Sequence, residues 1–279
     1  MTKAMQMLWV STLAVTLALG QNVYAQEAQK QTPPEGGTPK DFTLPAKQHF
    51  QLDNGLKVTL VPFGSIPKVT VSARVMAGNL NEGSDTWLAD LTANMMEEGT
   101  TTRSAEDVAR QAAEMGGSLA IAVGLDQTSV TGEALAEFAP EMVALLADVM
   151  RNPALPPAEL DRLKRDAQRN LEVALNDPGT MAQIAFRKAL YGDHPYGRLF
   201  PDSEQLEGYS AEQIRSFYES NFGAQRTHLF VSGMFEADAL RSAIENAFGD
   251  WKKGPPALTM LPEPAEGRQF IDIVNRANA

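Results

Sequence analysis

Apolar and polar residues alternate with a period of two in several stretches of the chain, and between these the period lengthens to that of a helix. From His49 to Val61 two alternating runs flank Asn54-Gly55, a dipeptide that favours the left-handed backbone of a tight hairpin turn. Val69–Ala77, Ser118–Val123, Gln127–Ala134 and Thr227–Ser232 read as further strands. Helical spacing covers Ser84–Met96, Ser104–Met115, Glu137–Met150, Pro156–Asn176, Thr180–Leu190, Ser210–Asn221 and Glu236–Phe248. Ser104 with Asp107 three residues on is a carboxylate variant of the capping box, and Pro157-Ala158-Glu159 suits a helix's first turn. Met142 and Met150 fall on the apolar face of their helix and read as core. Strands and helices arrive in blocks, which predicts an α+β class with an antiparallel or mixed sheet covered by helices.

The two ends follow other patterns. Met1–Ala25 has one cation, Lys3, an apolar run from Met7 to Leu19, and Val23-Tyr24-Ala25 at its close. This is the pattern of a secretory signal peptide cleaved after Ala25, and the run is shorter than the roughly 20 residues that a spanning helix needs. The expected location is therefore the periplasm or outside the cell, with no membrane anchor. Residues 26–47 are rich in Gln, Pro and Gly and read as a flexible leader. The globular part is expected over 48–254. Residues 255–279 read as a Pro-rich linker followed by the first strand, Phe270–Val274, of a second domain that is missing, split off or supplied by another chain.

Composition narrows the chemistry. Lys and Arg number 24 against 35 Asp and Glu, which argues against nucleic acid as a partner. No cysteine is present, so disulfides, thiol catalysis and lipid attachment at a cysteine are excluded. Ser232-Gly233 follows a strand without a nucleophile elbow, and Gly78-x-x-x-x-Gly83 lacks the Lys-Ser/Thr of a phosphate loop. The three histidines, His49, His194 and His228, lie far apart and are expected to be separate surface or structural residues. Glu97-Glu98, at a helix end, read as a solvated pair.

The order of the Leu52-Asp53-Asn54-Gly55-Leu56 hairpin, a strand ending Ala77-Gly78, and a helix ending Met95-Met96-Glu97-Glu98-Gly99-Thr100 resembles the N-terminal domain of the pitrilysin/insulinase family of zinc peptidases. Gly116-Gly117-Ser118-Leu119, Asn152-Pro153, the helix running to Pro178, and Tyr191-Gly192-Asp193-His194-Pro195-Tyr196 extend the likeness over about residues 48–254. The resemblance implies a metallopeptidase-like (LuxS/processing-peptidase-like) domain. It also implies that the first helix would carry His-x-x-Glu-His, two zinc ligands and a general base, with a third ligand on the long helix. Here Asp90 and Asn94 fall at the histidine positions and Ala93 at the base. Asn170 falls at the third ligand, with Arg169 one register away. By that resemblance no catalytic residue, no metal site and no zinc cofactor are expected. The chain would then be a peptidase-like subunit, forming a homo-oligomer or a heterodimer with a catalytic family member and binding peptides. Two other readings stay open: a zinc endopeptidase with unusual ligands, and a truncated remnant.

Overall fold

A computed structural model describes residues 45–259, together with 36, 37 and 43. The signal-peptide pattern, most of the leader and the Phe270–Val274 strand lie outside the described residues. Residues 45–259 belong to a compact unit that starts at Pro45.

Six strands form one sheet: β1 (Gln48–Gln51), β2 (Lys57–Pro62), β3 (Lys68–Val75), β4 (Ser118–Val123), β5 (Thr128–Leu135) and β6 (Thr227–Gly233), in the order β1-β2-β6-β3-β5-β4. Every pairing is antiparallel except β2 with β6. The sheet is thus mixed, as a parallel pair joined by a long crossover requires. The helices are α1 (Leu88–Glu97), α2 (Ala105–Glu114), α3 (Ala139–Arg151), α4 (Leu160–Leu175), α5 (Pro178–Tyr191), α6 (Ser203–Gly208), α7 (Ala211–Asn221) and α8 (Ala237–Phe248). Ser104 and Asp107 form the reciprocal capping box that their spacing predicts.

Strand alternation decides where the core sits. Val58 and Leu60, Val69, Val71, Ala73 and Val75, Val130, and Leu229 and Val231 all point to one face, which the helices cover. α3 lies across β5 and β3 and against α8, burying Met142, Leu146 and Met150. Its approach is so close that a Cβ at Gly132 would stand 2.4 Å from Met142 Sδ, so any larger residue at that position of β5 would force the Met142 side chain to shift. The opposite sheet face carries no helix among the described residues. Thr70, Ser72, Arg74, Thr131, Phe230 and Ser232 line a shallow cleft of about 680 Å³ there.

Two expectations need correction. The first helix begins at Leu88, not Ser84, because Gly83 and Trp87 both take positive φ (62° and 68°) and break the helical path. The long helix begins as a 3-10 turn over Pro157–Glu159 before α4 proper, and the short α6 carried no periodic signal to announce it.

Candidate functional site

The segment from Gly78 to α1 is built on backbone contacts that leave little freedom. A Cβ at Gly78 would lie 2.1 Å from Gly124 O, so the chain can pass under the β4–β5 turn only as glycine. Asn79 N and Leu80 N donate to Gly124 O and Leu125 O at 3.2 and 2.8 Å. This pins the loop that presents Asn79 and Glu82 to the start of α1.

α1 has no conventional N-cap: Trp87 occupies that position without a side-chain acceptor. Glu82 supplies the acceptor from outside. Its Oε1 accepts from Trp87 N at 3.0 Å and its Oε2 from Ala89 N at 3.1 Å. Asn79 Nδ2 spans two carboxylates, donating to Glu82 Oε2 at 3.3 Å and to Asp90 Oδ2 at 2.7 Å. Burial outweighs these donors and raises the Glu82 carboxyl to about 7, with Asp90 adding a smaller upward push. Burial likewise raises Asp90, against the hydrogen bond from Asn79. Trp87 itself is anchored by its Nε1 donating to Leu199 O at 3.0 Å and by an edge-on contact with Phe200.

Of the four positions singled out in the sequence, Asp90 and Asn94 share a face of α1, one turn apart. Asp90 is half-buried and bonded to Asn79, whereas Asn94 is exposed. Ala93 is buried. Asn170 and Arg169 are exposed on α4, which packs against α1, and Arg169 pairs with Asp166 on its own helix. Neither Asn94 nor Asn170 hydrogen-bonds to Asp90. Among the described residues no three His, Asp or Glu side chains gather so as to hold a metal ion.

In the acidic pair at the end of α1, Glu97 is exposed and Glu98 half-buried, and each also has a protein partner. Glu98 bridges to Arg162 on α4, and Glu97 accepts from the edge-strand Ile121 N at 3.2 Å. Burial raises the Glu97 carboxyl. The histidines are not all separate either. His49 Nδ1 and His228 Nε2 converge on one hydroxyl, Thr59 Oγ1, at 2.9 and 2.8 Å. Alternation alone put His49, Thr59 and His228 on three strands, and only the order β1-β2-β6 makes them neighbours. His194 stays apart, its Nδ1 accepting from Tyr196 N at 3.2 Å. Glu82 gave no signal in the sequence beyond lying a few residues ahead of a helix that lacks a Ser, Thr, Asn or Asp cap.

Two family models match the chain: "Insulinase (Peptidase family M16)" over residues 63–200, and "Peptidase M16 inactive domain" over 208–278. An uncharacterized zinc protease of Rickettsia felis is 24% identical over 81% of this chain and 56% of its own length. A probable mitochondrial-processing peptidase subunit alpha-1 of Arabidopsis thaliana is 28% identical over 78% of this chain and 43% of its own length. The chain therefore spans about half the length of the curated relatives it matches. A peptidase M16 inactive domain from Pseudomonas fluorescens superposes with a TM-score of 0.72 at 22% identity, covering 79% of this chain and 54% of that one. The periplasmic protease PqqL of Escherichia coli gives 0.68 at 17%, over 82% of this chain and 26% of that one. Two successive models that span most of the described fold, and a sheet and helix order shared with solved M16 peptidases, mean that the chain belongs to the insulinase family of peptidases, M16.

Proposed function

We propose that this M16 chain is an exported, non-catalytic subunit that works beside a catalytic relative or beside the half that its longer relatives carry. The carrying observation is the donor set on α1 and α4. The family resemblance puts Asp90 and Asn94 at the positions of two zinc-binding histidines, Ala93 at the general base and Asn170 at the third ligand. Neutral amides are weak donors to zinc, and a methyl group takes no proton from water. Asp90, the one strong donor, is half-buried and already hydrogen-bonded to Asn79. No His-x-x-Glu-His occurs anywhere in the 279 residues. This set does not fit a peptidase zinc.

Pairing is supported by a relative that is named as a subunit. It is supported also by the likeness to the first half of the E. coli periplasmic protease, at a TM-score of 0.68 and 17% identity. An uncovered sheet face with Phe230 and Met76 partly exposed gives a second half something to cover. Export is supported by the Met1–Ala25 pattern, and among the described residues no helix is long and apolar enough to cross a membrane. An extended peptide held between two such subunits would find a template in edge strand β4, although Glu97 already occupies the Ile121 amide. The rival reading, a zinc endopeptidase with unusual ligands, draws on relatives named as zinc proteases. Elemental analysis of the purified chain separates the two: zinc far below one per chain is expected, and stoichiometric zinc overturns the non-catalytic reading.

A further inference from the structure

His49, Thr59 and His228 tie the outermost strand to the sheet through one hydroxyl proton. Thr59 is buried, and both imidazoles meet its Oγ1 at hydrogen-bond distance, 2.9 Å for His49 Nδ1 and 2.8 Å for His228 Nε2. A hydroxyl has one proton to give and lone pairs to accept with. With both imidazoles neutral, one ring donates to Thr59 and the other receives its proton, so all three groups are satisfied. One added proton is tolerated, because the cationic ring donates and the neutral ring accepts. A second proton leaves two N–H donors aimed at one oxygen, no acceptor for the buried hydroxyl proton, and two like charges about 6 Å apart.

The surroundings make that second proton unwelcome. Across the sheet His228 has Lys57 on β2 and Arg74 on β3 as its lateral neighbours. Lys68 lies farther along β3, and Glu133 is on β5, beyond β3. β1, β2 and β6 contain no carboxylate. His228 is also stacked on Phe230, with ring centroids 4.0 Å apart. Burial, then the charges of Lys57 and His49, hold His228 below the ordinary imidazole range. His49 is exposed at the rim of the sheet.

We propose that this relay is an acid-sensitive latch: β1 stays zipped to β2 while at most one of His49 and His228 is protonated, and loosens when both are. Acid would thereby uncover the outer edge of β2, a row of unpaired backbone groups able to accept another strand. Hydrogen exchange of the full chain, read by mass spectrometry and corrected for intrinsic rates, tests this at pH 7 and at pH 4, well below the ordinary imidazole range. In wild type, protection over residues 48–51 should fall at least about tenfold at the lower pH while β3 and β5 hold theirs. Thr59→Val keeps the shape and removes the hydroxyl, so its β1 should be weakly protected at both pH values. His49→Gln, whose amide can give or accept a hydrogen bond at any pH, should stay protected at both. Equal β1 protection at the two pH values in wild type, or an undiminished acid loss in either variant, overturns the proposal.

Discussion

Asn79 Nδ2 stands 2.7 Å from Asp90 Oδ2, and the same nitrogen reaches Glu82 Oε2 at 3.3 Å, so one amide links a buried and a half-buried carboxylate at the entrance to α1. Each of its two protons serves a different acid. This explains why two carboxylates can share the mouth of one helix, where the first-turn amides also favour negative charge. It also makes Glu82 the group whose ionisation is most costly, because burial is the largest influence on it.

The sign of the resulting pH dependence is fixed. Glu82 holds its proton up to about pH 7 in the folded chain and releases it near 4.5 when unfolded. Between those values folding takes up a proton, so the contribution of Glu82 is fully present below about 4.5 and is lost as pH rises toward 7. At 1.36 kcal/mol per unit, the loss is of order 3 kcal/mol. Glu82→Gln should lack this slope. Urea melts of wild type and variant at pH 4.5 and pH 7 check it: the stability of the variant relative to wild type should rise across the interval, and a constant difference would refute the assignment.

Trp87 sets two effects against each other. Its φ of 68° costs a non-glycine residue roughly 1–2 kcal/mol, which glycine would recover. Glycine would forfeit the hydrogen bond from Nε1 to Leu199 O and the edge-on contact with Phe200, together with the apolar area of an indole, roughly 3–5 kcal/mol. Packing wins, so Trp87→Gly should destabilise the chain by about 2 kcal/mol in urea denaturation. A gain in stability would show that the backbone strain dominates.

Much of this was legible in the residues. Alternation placed all six strands, because a sheet covered on one face leaves a period-two record in Val58, Leu60, Val71 and Val231. Capping chemistry placed Ser104 and Asp107 for a similar reason: the interaction is local. The convergence of His49 and His228 on Thr59 was hidden, since it depends on β6 inserting beside β2 after more than 160 residues of intervening chain. Glu82 was hidden because it caps from outside the helix, through tertiary placement of a loop under Gly124. Glu97 is exposed, as its place at a helix end suggests, but its hydrogen bond from the Ile121 amide was hidden, because that amide belongs to a sheet edge that only the strand order reveals.

Association follows from the proposed pairing. The sheet face opposite the helices leaves Phe230 37% and Met76 41% exposed beside Arg74. Apolar side chains exposed together within a polar rim are a feature of interaction surfaces. The chain from Gln26 onward should self-associate at micromolar concentration or bind its second-half partner, and Phe230→Glu should weaken that by about tenfold or more. Light scattering coupled to size-exclusion chromatography reads this. A monomer at every concentration, with no loss of partner binding in the variant, would count against the pairing.

The decisive prediction concerns the proposed ligand positions. If the register is right, Asp90→His, Asn94→His and Asn170→Glu together should restore a zinc site, since Asp90 and Asn94 lie one turn apart on α1 and α4 packs alongside. Ala93 need not change for metal to bind, because it stands for the base and not for a ligand. Leaving it alone also avoids placing a carboxylate at a position only 5% exposed, where burial without a partner would destabilise the fold. Removing Asp90 frees one proton of Asn79, and the half-exposed site lets water take it, so the substitution should cost about 1 kcal/mol. Zinc affinity rises with the summed strength of its donors, so two imidazoles and a carboxylate should bind many orders of magnitude more tightly than two amides and a committed aspartate. Zinc content of wild type and triple variant, prepared identically, is the measurement: near zero against near one is expected. A folded variant without zinc would show that Asp90, Asn94 and Asn170 do not converge, and would return the ligand positions to the neighbouring register at Arg169.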